Sequence, residues 1–253
     1  HSEWTGFAPH IEEDVAFSSI AQDEIGHAAA YYSLTASITG DDQDRLALGR
    51  DKNEYRNAIL CERENRDWAF TLARQWIYDT ADSVRLEALQ DTAHDELAAL
   101  VNKMRREERY HLIHAQTWIK RVAHGPAEGR SKLVASIGEV FDEAMGLFEP
   151  FELEEVAVKE GWLPVPSSEL RERFVSRMTS LLDEMGFPTH EPVRTDAEFV
   201  ASSSGDLIAD DADNSAPQAH DASGGRQGRR SPEFDALWED MTSTYRLHPG
   251  ATW

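Results

Sequence analysis

Two stretches of this chain carry apolar residues at alternating three- and four-residue steps, and no strand-like alternation competes with them. Each is therefore committed to a long helix with one buried face. The first stripe is Phe17, Ile20, Glu24, His27, Tyr31 and Leu34. The second is Leu97, Val101, Met104, Glu108, His111, Ala115, Trp118 and Val122. Each contains a Glu-x-x-His pair at positions where a core should lie. Residues three apart share a helix face, so each pair aims a carboxylate and an imidazole at one point. With 26 Glu and 10 His in the chain, about one such motif arises by chance. The apolar setting, not the motif text, carries the argument.

An ionised carboxylate buried without a partner is costly, and the usual escapes are protonation, an ion pair or a metal. A metal fits the paired histidines best; interhelical hydrogen bonds in an ordinary core are the competing account. Two Glu-x-x-His helices, with one carboxylate from each of two further helices, form the four-helix di-iron or di-manganese centre. Asp79 is a candidate for one of these, because its helical neighbours are Leu72, Trp76, Ser83 and Leu86, whereas Asp82 and Glu87 have more polar surroundings. Glu3 is the default for the other, as the sole carboxylate of the first helical fragment; its alternative is an exposed residue at a helix end.

The expected fold is all-α, a four-helix bundle with additional C-terminal helices. A helix from Ile11 to Ile38 is closed by Gly40, and a polar connection follows from Asp41 to Arg66 with one short helix at most. Asp67 caps a helix reaching Gln90, and another runs from Asp91 to Ala123 before Gly125-Pro126. Further helices are expected at 131–148, 150–160 and 167–185. Residues 196–230 turn to Asp, Ser, Ala and Gly with few large apolar side chains, the composition of a disordered insertion. The domain therefore comprises 1–195 plus a C-terminal helix and tail at 231–253.

A net charge of −22 argues against nucleic acid, whose phosphates require concentrated Lys and Arg. The lack of an apolar run of 18 residues or of a signal-peptide pattern argues against a membrane. The single cysteine, Cys61, suits a reducing cytoplasm and reads as a small buried hydrophobe. The chain starts in what reads as the end of a helix, so a preceding segment is expected. Trp68, Trp76 and Trp118 read as core and subunit packing.

His1-Ser2-Glu3, Gln22 to His27 and Glu107 to His111 resemble the ligand motifs of bacterial di-iron oxygenases that epoxidise aryl-CoA thioesters. Along its length, through Glu3-Trp4-x-Gly-x-x-Pro, Ala73-Arg74-Gln75, Ile77-x-Asp79, Glu107-x-Arg109-Tyr110-His111-Leu112 and Pro249-Gly250-Ala251-x-Trp253, the chain is similar to PaaC-type subunits of phenylacetyl-CoA epoxidase. The resemblance implies a ferritin-like fold, a homologous PaaA-type catalytic partner, and NADPH-derived electrons arriving through a separate reductase. It also implies phenylacetyl-CoA and O₂ as substrates of the complex in phenylacetate catabolism. PaaC-type subunits are usually regarded as structural, with iron ligands lost. Here Glu3, Glu24, His27, Asp79, Glu108 and His111 keep every ligand position, with Glu24 and Glu108 as the bridging pair and Glu3 and Asp79 as terminal ligands.

Asp23 and Glu107, each one residue before a ligand glutamate, are placed to accept the second ring N–H of a histidine, or else are surface charge. Lys103, Arg105, Arg106 and Arg109 offer either a CoA phosphate site or a solvated helix face. His94 and His114 imitate the spacing but are set aside as ligands. An independent di-iron oxidase or ferroxidase, and a metal-free scaffold, are the competing functions.

Overall fold

A computed structural model describes residues 2–188, 223–248 and 251. Among them there is no strand, and the elements are eight α-helices joined by 3₁₀ turns. α1 is Ile11–Thr39, α2 Gln43–Leu48, α3 Trp68–Leu89, α4 Asp95–Ala123, α5 Ala127–Glu143, α6 Glu154–Lys159, α7 Ser167–Glu184 and α8 Phe234–Leu247. No helix among the described residues is long and apolar enough to cross a membrane.

Local chemistry sets the ends of the long helices. Gly40 closes α1 with a left-handed φ of 73°, its N–H returning to the Ala36 carbonyl, a backbone shape that glycine adopts without strain. Asp67 caps α3 by accepting the Phe70 N–H. α4 starts four residues later than the sequence suggested. The Ala93 N–H is taken by the Gly161 carbonyl at 2.8 Å, and the His94 ring, in tilted contact with Trp162, accepts the Leu97 N–H instead.

α3 is the central helix. Phe70, Leu72, Ala73, Trp76, Ile77, Ala81, Val84 and Ala88 are buried along it against α4, α5 and α7. A smaller cluster joins Leu86 and Leu89 to Leu97, Val101 and Met104 of α4, with Tyr31 and Leu34 of α1 packed on it. The arrangement is an all-α, ferritin-like bundle in which α1, α3 and α4 surround the two Glu-x-x-His motifs. The 3₁₀ turn Ser2–Trp4 lies against α1 and α3, held by a hydrogen bond from Trp4 Nε1 to Thr71 Oγ1. Trp4, Trp68, Phe17 and Trp118 close one end in edge-on and tilted contacts.

The 41–66 connection is less polar than its composition suggests, for it buries Tyr55, Ile59 and Leu60 and adds two 3₁₀ turns to α2. Most of the 196–230 stretch, and all but Ala251 of the closing Pro-Gly-Ala-x-Trp, lie outside the described residues. Residues 223–230 correct the expected boundary, because they form a docked turn. A Cβ on Gly225 would stand 2.5 Å from the Asn57 carbonyl oxygen, so only glycine fits. Glu149 accepts the N–H groups of Gly224 and Arg226, and Glu62 accepts those of Ser231 and the Asn57 amide.

Glu149 is 1% exposed. Glu149→Ala is expected to destabilise the fold by about 3 kcal/mol, since it orphans two backbone donors at a buried site. Urea unfolding measures this; an unchanged midpoint would show that the turn does not rely on that carboxylate.

Candidate metal centre

α1 delivers Glu24 and His27, α4 delivers Glu108 and His111, and α3 delivers Asp79. His111 and Asp79 are 0% and 1% exposed, and Glu108 is 5% exposed. One ligand atom each from Glu24, Glu108 and His111 lies within 4.8 Å of the others. Glu108 spans both histidines: Oε1 is 3.1 Å from His27 Nδ1, and Oε2 is 3.5 Å from His111 Nδ1. Glu24 is farther, at 4.0 Å from His27 Nδ1 and 3.8 Å from His111 Nδ1.

Both histidines turn Nδ1 inward because Nε2 is held from outside. His27 Nε2 meets Glu107 Oε2 at 2.8 Å, and His111 Nε2 meets Asp23 Oδ2 at 3.0 Å. The pairing is crossed, each acid serving the histidine of the other helix. Such partners fix tautomer and ring orientation and raise basicity at the free nitrogen.

The charges are those of a site short of cations. Burial, with the neighbouring charges of Glu108 and Asp82, pushes Glu24 up to about 7. Burial, Glu108 and Glu24 hold the Asp79 carboxyl well above the usual range. The hydrogen bond to Glu108 lifts His27 to about 9. For Glu108 itself burial acts upward, but the close contacts with His111 and His27 and their charges outweigh it and leave it at about 2.

Several buried polar atoms here have no hydrogen-bond partner: Glu24 Oε1, both oxygens of Asp79, Glu108 Oε2 and His111 Nδ1. Buried polar atoms in native proteins are normally paired. Five orphans carried by three helices, all oxygen or imidazole nitrogen, make a donor set of the kind that fits iron or manganese.

Glu3 is the one predicted ligand that the structure leaves outside this group. It is exposed and its carboxylate accepts from the Asn65 amide. A cleft of about 1020 Å³ separates α8 from α3 and runs from Glu3 to Glu24, past Cys61, Arg74, Gln75 and Tyr78. Cys61 is thus exposed on a cleft wall rather than a buried filler. Asp82 and Glu87, passed over as ligands, are ion-paired with Arg85 at 2.6 Å and with Arg177 at 2.7 Å. Lys103, Arg106 and Arg109 are exposed on α4 and do not line the cleft.

Sequence reasoning missed one polar group. His114, set aside as a ligand, is paired with a carboxylate outside the motifs: its Nε2 is 2.7 Å from Oε2 of the buried Glu13. The signal was present, since Glu13 lies four residues before Phe17 on the α1 stripe.

A family model described as phenylacetic acid catabolic protein matches residues 1–199. The chain belongs to the phenylacetic acid catabolic protein family. Among curated proteins it is similar to the C component of 1,2-phenylacetyl-CoA epoxidase from Escherichia coli (strain K12), at 26% identity over 99% of this chain and 91% of that protein. In this chain Glu24, Glu108 and His111 bring ligand atoms within 4.8 Å of one another, His27 lies against Glu108, and Asp79 is buried on α3.

Proposed function

We propose that this chain is the PaaC-type component of a multicomponent phenylacetyl-CoA epoxidase, and that it holds a metal pair of its own. The observation carrying the metal half is the set of unpartnered ligand atoms on Glu24, Asp79, Glu108 and His111. The likeness to the Escherichia coli epoxidase component along nearly the whole chain supports the complex half and weighs against an independent ferroxidase.

Glu24, His27, Asp79, Glu108 and His111 would hold the ions, with Glu3 completing the set when it releases Asn65. Bound iron or manganese would supply Lewis acidity and redox electrons toward O₂. The chain's own residues do the rest. Asp23 and Glu107 orient the imidazoles, Glu108 joins both histidines, and the apolar stripes of α1 and α4 keep water away. The cleft beside Glu24 admits a small reactant. In the complete reaction one oxygen atom enters the aromatic ring of phenylacetyl-CoA as the 1,2-epoxide. The other leaves as water, with two electrons from NADPH through a separate reductase and two protons.

Assembly with a PaaA-type catalytic partner is supported by the outer side of α1. Ile11, Val15 and Ile25 are more than 60% exposed there, an apolar row that a lone protein rarely presents to water. Co-expression of both chains with a tag on one is expected to yield a stable complex of equal stoichiometry by size exclusion with light scattering. Val15→Glu with Ile25→Glu should reduce its yield severalfold. Failure of the unaltered chains to co-purify would remove the assembly role.

A further inference from the structure

Three arginines gather where the docked turn at 223–230 meets the start of α8, with aromatic rings rather than acids beneath two of them. The Arg50 Cζ lies 4.2 Å from the centre of the Tyr55 ring, and the Arg230 Cζ lies 4.6 Å from that of Phe234. The two rings meet edge-on, with centroids 6.0 Å apart. Arg56, the residue after Tyr55, brings its guanidinium against the turn: a Cβ on Gly228 would stand 3.4 Å from its Nη1. Arg50, Arg56 and Arg230 are thus joined through one aromatic pair.

An aromatic face steadies a guanidinium without using its N–H groups, and here those groups are in surplus. Arg50 gives Nη2 to the Tyr32 hydroxyl at 2.9 Å, while its Nε is buried and has no partner. Arg230 spends Nη1 on the Gly225 and Arg229 carbonyls, and its Nε and Nη2 are both buried and unpartnered. Arg56 uses Nη1 alone, for the Asn53 and Tyr55 carbonyls. Among the described residues, the carboxylate paired with this group is that of Glu62, 3.4 Å from Arg230 Nη1. It is already committed to the Ser231 N–H and the Asn57 amide. Three positive charges therefore face a single, shared negative one. Burial, reinforced by the charges of Arg56 and Arg50, holds Arg230 below its ordinary value in spite of Glu62.

We propose that Arg50, Arg56 and Arg230 form a binding site for a phosphate group. The planar guanidinium fork matches phosphate oxygens bidentately. A phosphate monoester brings close to two negative charges and three strong acceptor oxygens, enough to engage the three orphaned nitrogens, whereas a carboxylate brings one charge and two oxygens. Arg56 is the exposed member, so its side chain is the one that moves to admit the anion to the enclosed nitrogens of the other two. Free phosphate and the phosphate of a nucleotide share this chemistry. The site lies apart from the metal residues and does not depend on the reading given to them.

Calorimetric titration of the metal-depleted full chain at low salt, where no ion on α1 and α4 can capture the anion, is the test. Inorganic phosphate and adenosine monophosphate are the probes. One equivalent should bind, against the repulsion of a chain whose net charge is −22. Arg230→Gln should weaken binding about tenfold or more through lost charge-assisted bonds. Arg56→Gln, at the surface, should weaken it less and serves if Arg230→Gln does not fold. Arg109→Gln, on the exposed face of α4, should leave it unchanged. With nitrogen-15 arginine labelling, the Nε–H signals lost in Arg50→Gln and Arg230→Gln should be those that phosphate shifts in the unaltered chain. Tighter binding of the nucleotide would assign the site to a nucleotide-borne phosphate and equal binding to the free ion; both sustain it. No binding of either probe, or affinity unchanged in folded Arg230→Gln and Arg56→Gln, would overturn the proposal. Equal weakening in Arg109→Gln would mark an adventitious ion only and overturn it as well.

Discussion

Glu108→Ala is expected to empty the metal centre. Grown with excess iron, the unaltered chain should carry about two ions, and the variant close to none, by elemental analysis of protein purified without chelators. Glu108 is the carboxylate that touches both inward-facing ring nitrogens, at 3.1 and 3.5 Å. Its removal breaks the contact that chiefly keeps His27 charged in the metal-free chain. It also takes away the carboxylate that lies 3.1 Å from the inward-facing His27 Nδ1. Asp82→Asn, on the neighbouring helix but ion-paired to Arg85, should keep both ions and is the matched control. An unaltered chain free of metal after iron-replete growth would leave the scaffold role and sink the centre.

The metal-free chain should be most stable near pH 4.5 and lose stability as pH rises from there, and metal should move that optimum upward. His27 is raised from 6.5 to about 9 on folding, so its contribution is complete below 6.5 and lost as pH rises through 9. Glu24, raised from 4.5 to about 7, contributes in the same direction between those values. Glu108 is lowered from 4.5 to about 2, so its contribution holds above 4.5 and is lost as pH falls through 2. Divalent ions replace the protons and so bind more tightly as pH rises. At a concentration one hundred times the Kd they should add about 2.7 kcal/mol.

Thermal melts across pH with and without Mn²⁺ provide the measurement. Asp79→Asn sharpens it, because it removes a carboxyl whose ionised form burial, Glu108 and Glu24 oppose. The variant should gain metal-free stability increasingly toward high pH and lose most of the Mn²⁺ increment. A metal-free melting temperature that climbs from pH 6 to 9 would contradict the assignment of protons.

The α4 stripe was legible because seven of its eight residues are buried, from Leu97 to Trp118, and helical periodicity is the signal that survives without a structure. Asp79 was legible for the same reason. Glu3 was not, since a three-residue turn has no face to be periodic on and its neighbour Asn65 comes from a distant loop. His114 was discarded on a rule about motif pairs, although the Glu13 that faces it continues the α1 stripe. The docked turn at 223–230 was hidden because its anchors, Glu62 and Glu149, contribute carboxylates to backbone N–H groups. Composition cannot report such a bond.

The crossed pairing of Asp23 with His111 and of Glu107 with His27 acts as a gauge of axial alignment between two helices. Sliding α1 along α4 by a single turn, about 5.4 Å, would part both acids from their rings at once and leave no substitute opposite either. Reciprocity makes the error detectable twice, at both ends of the motif pair. It follows that neither half can be transplanted alone. A bundle given only Glu-x-x-His on each helix would possess the ligands without the device that keeps them level, whereas the four-residue-plus-one string, acid-Glu-x-x-His, carries its own alignment wherever it is installed in duplicate.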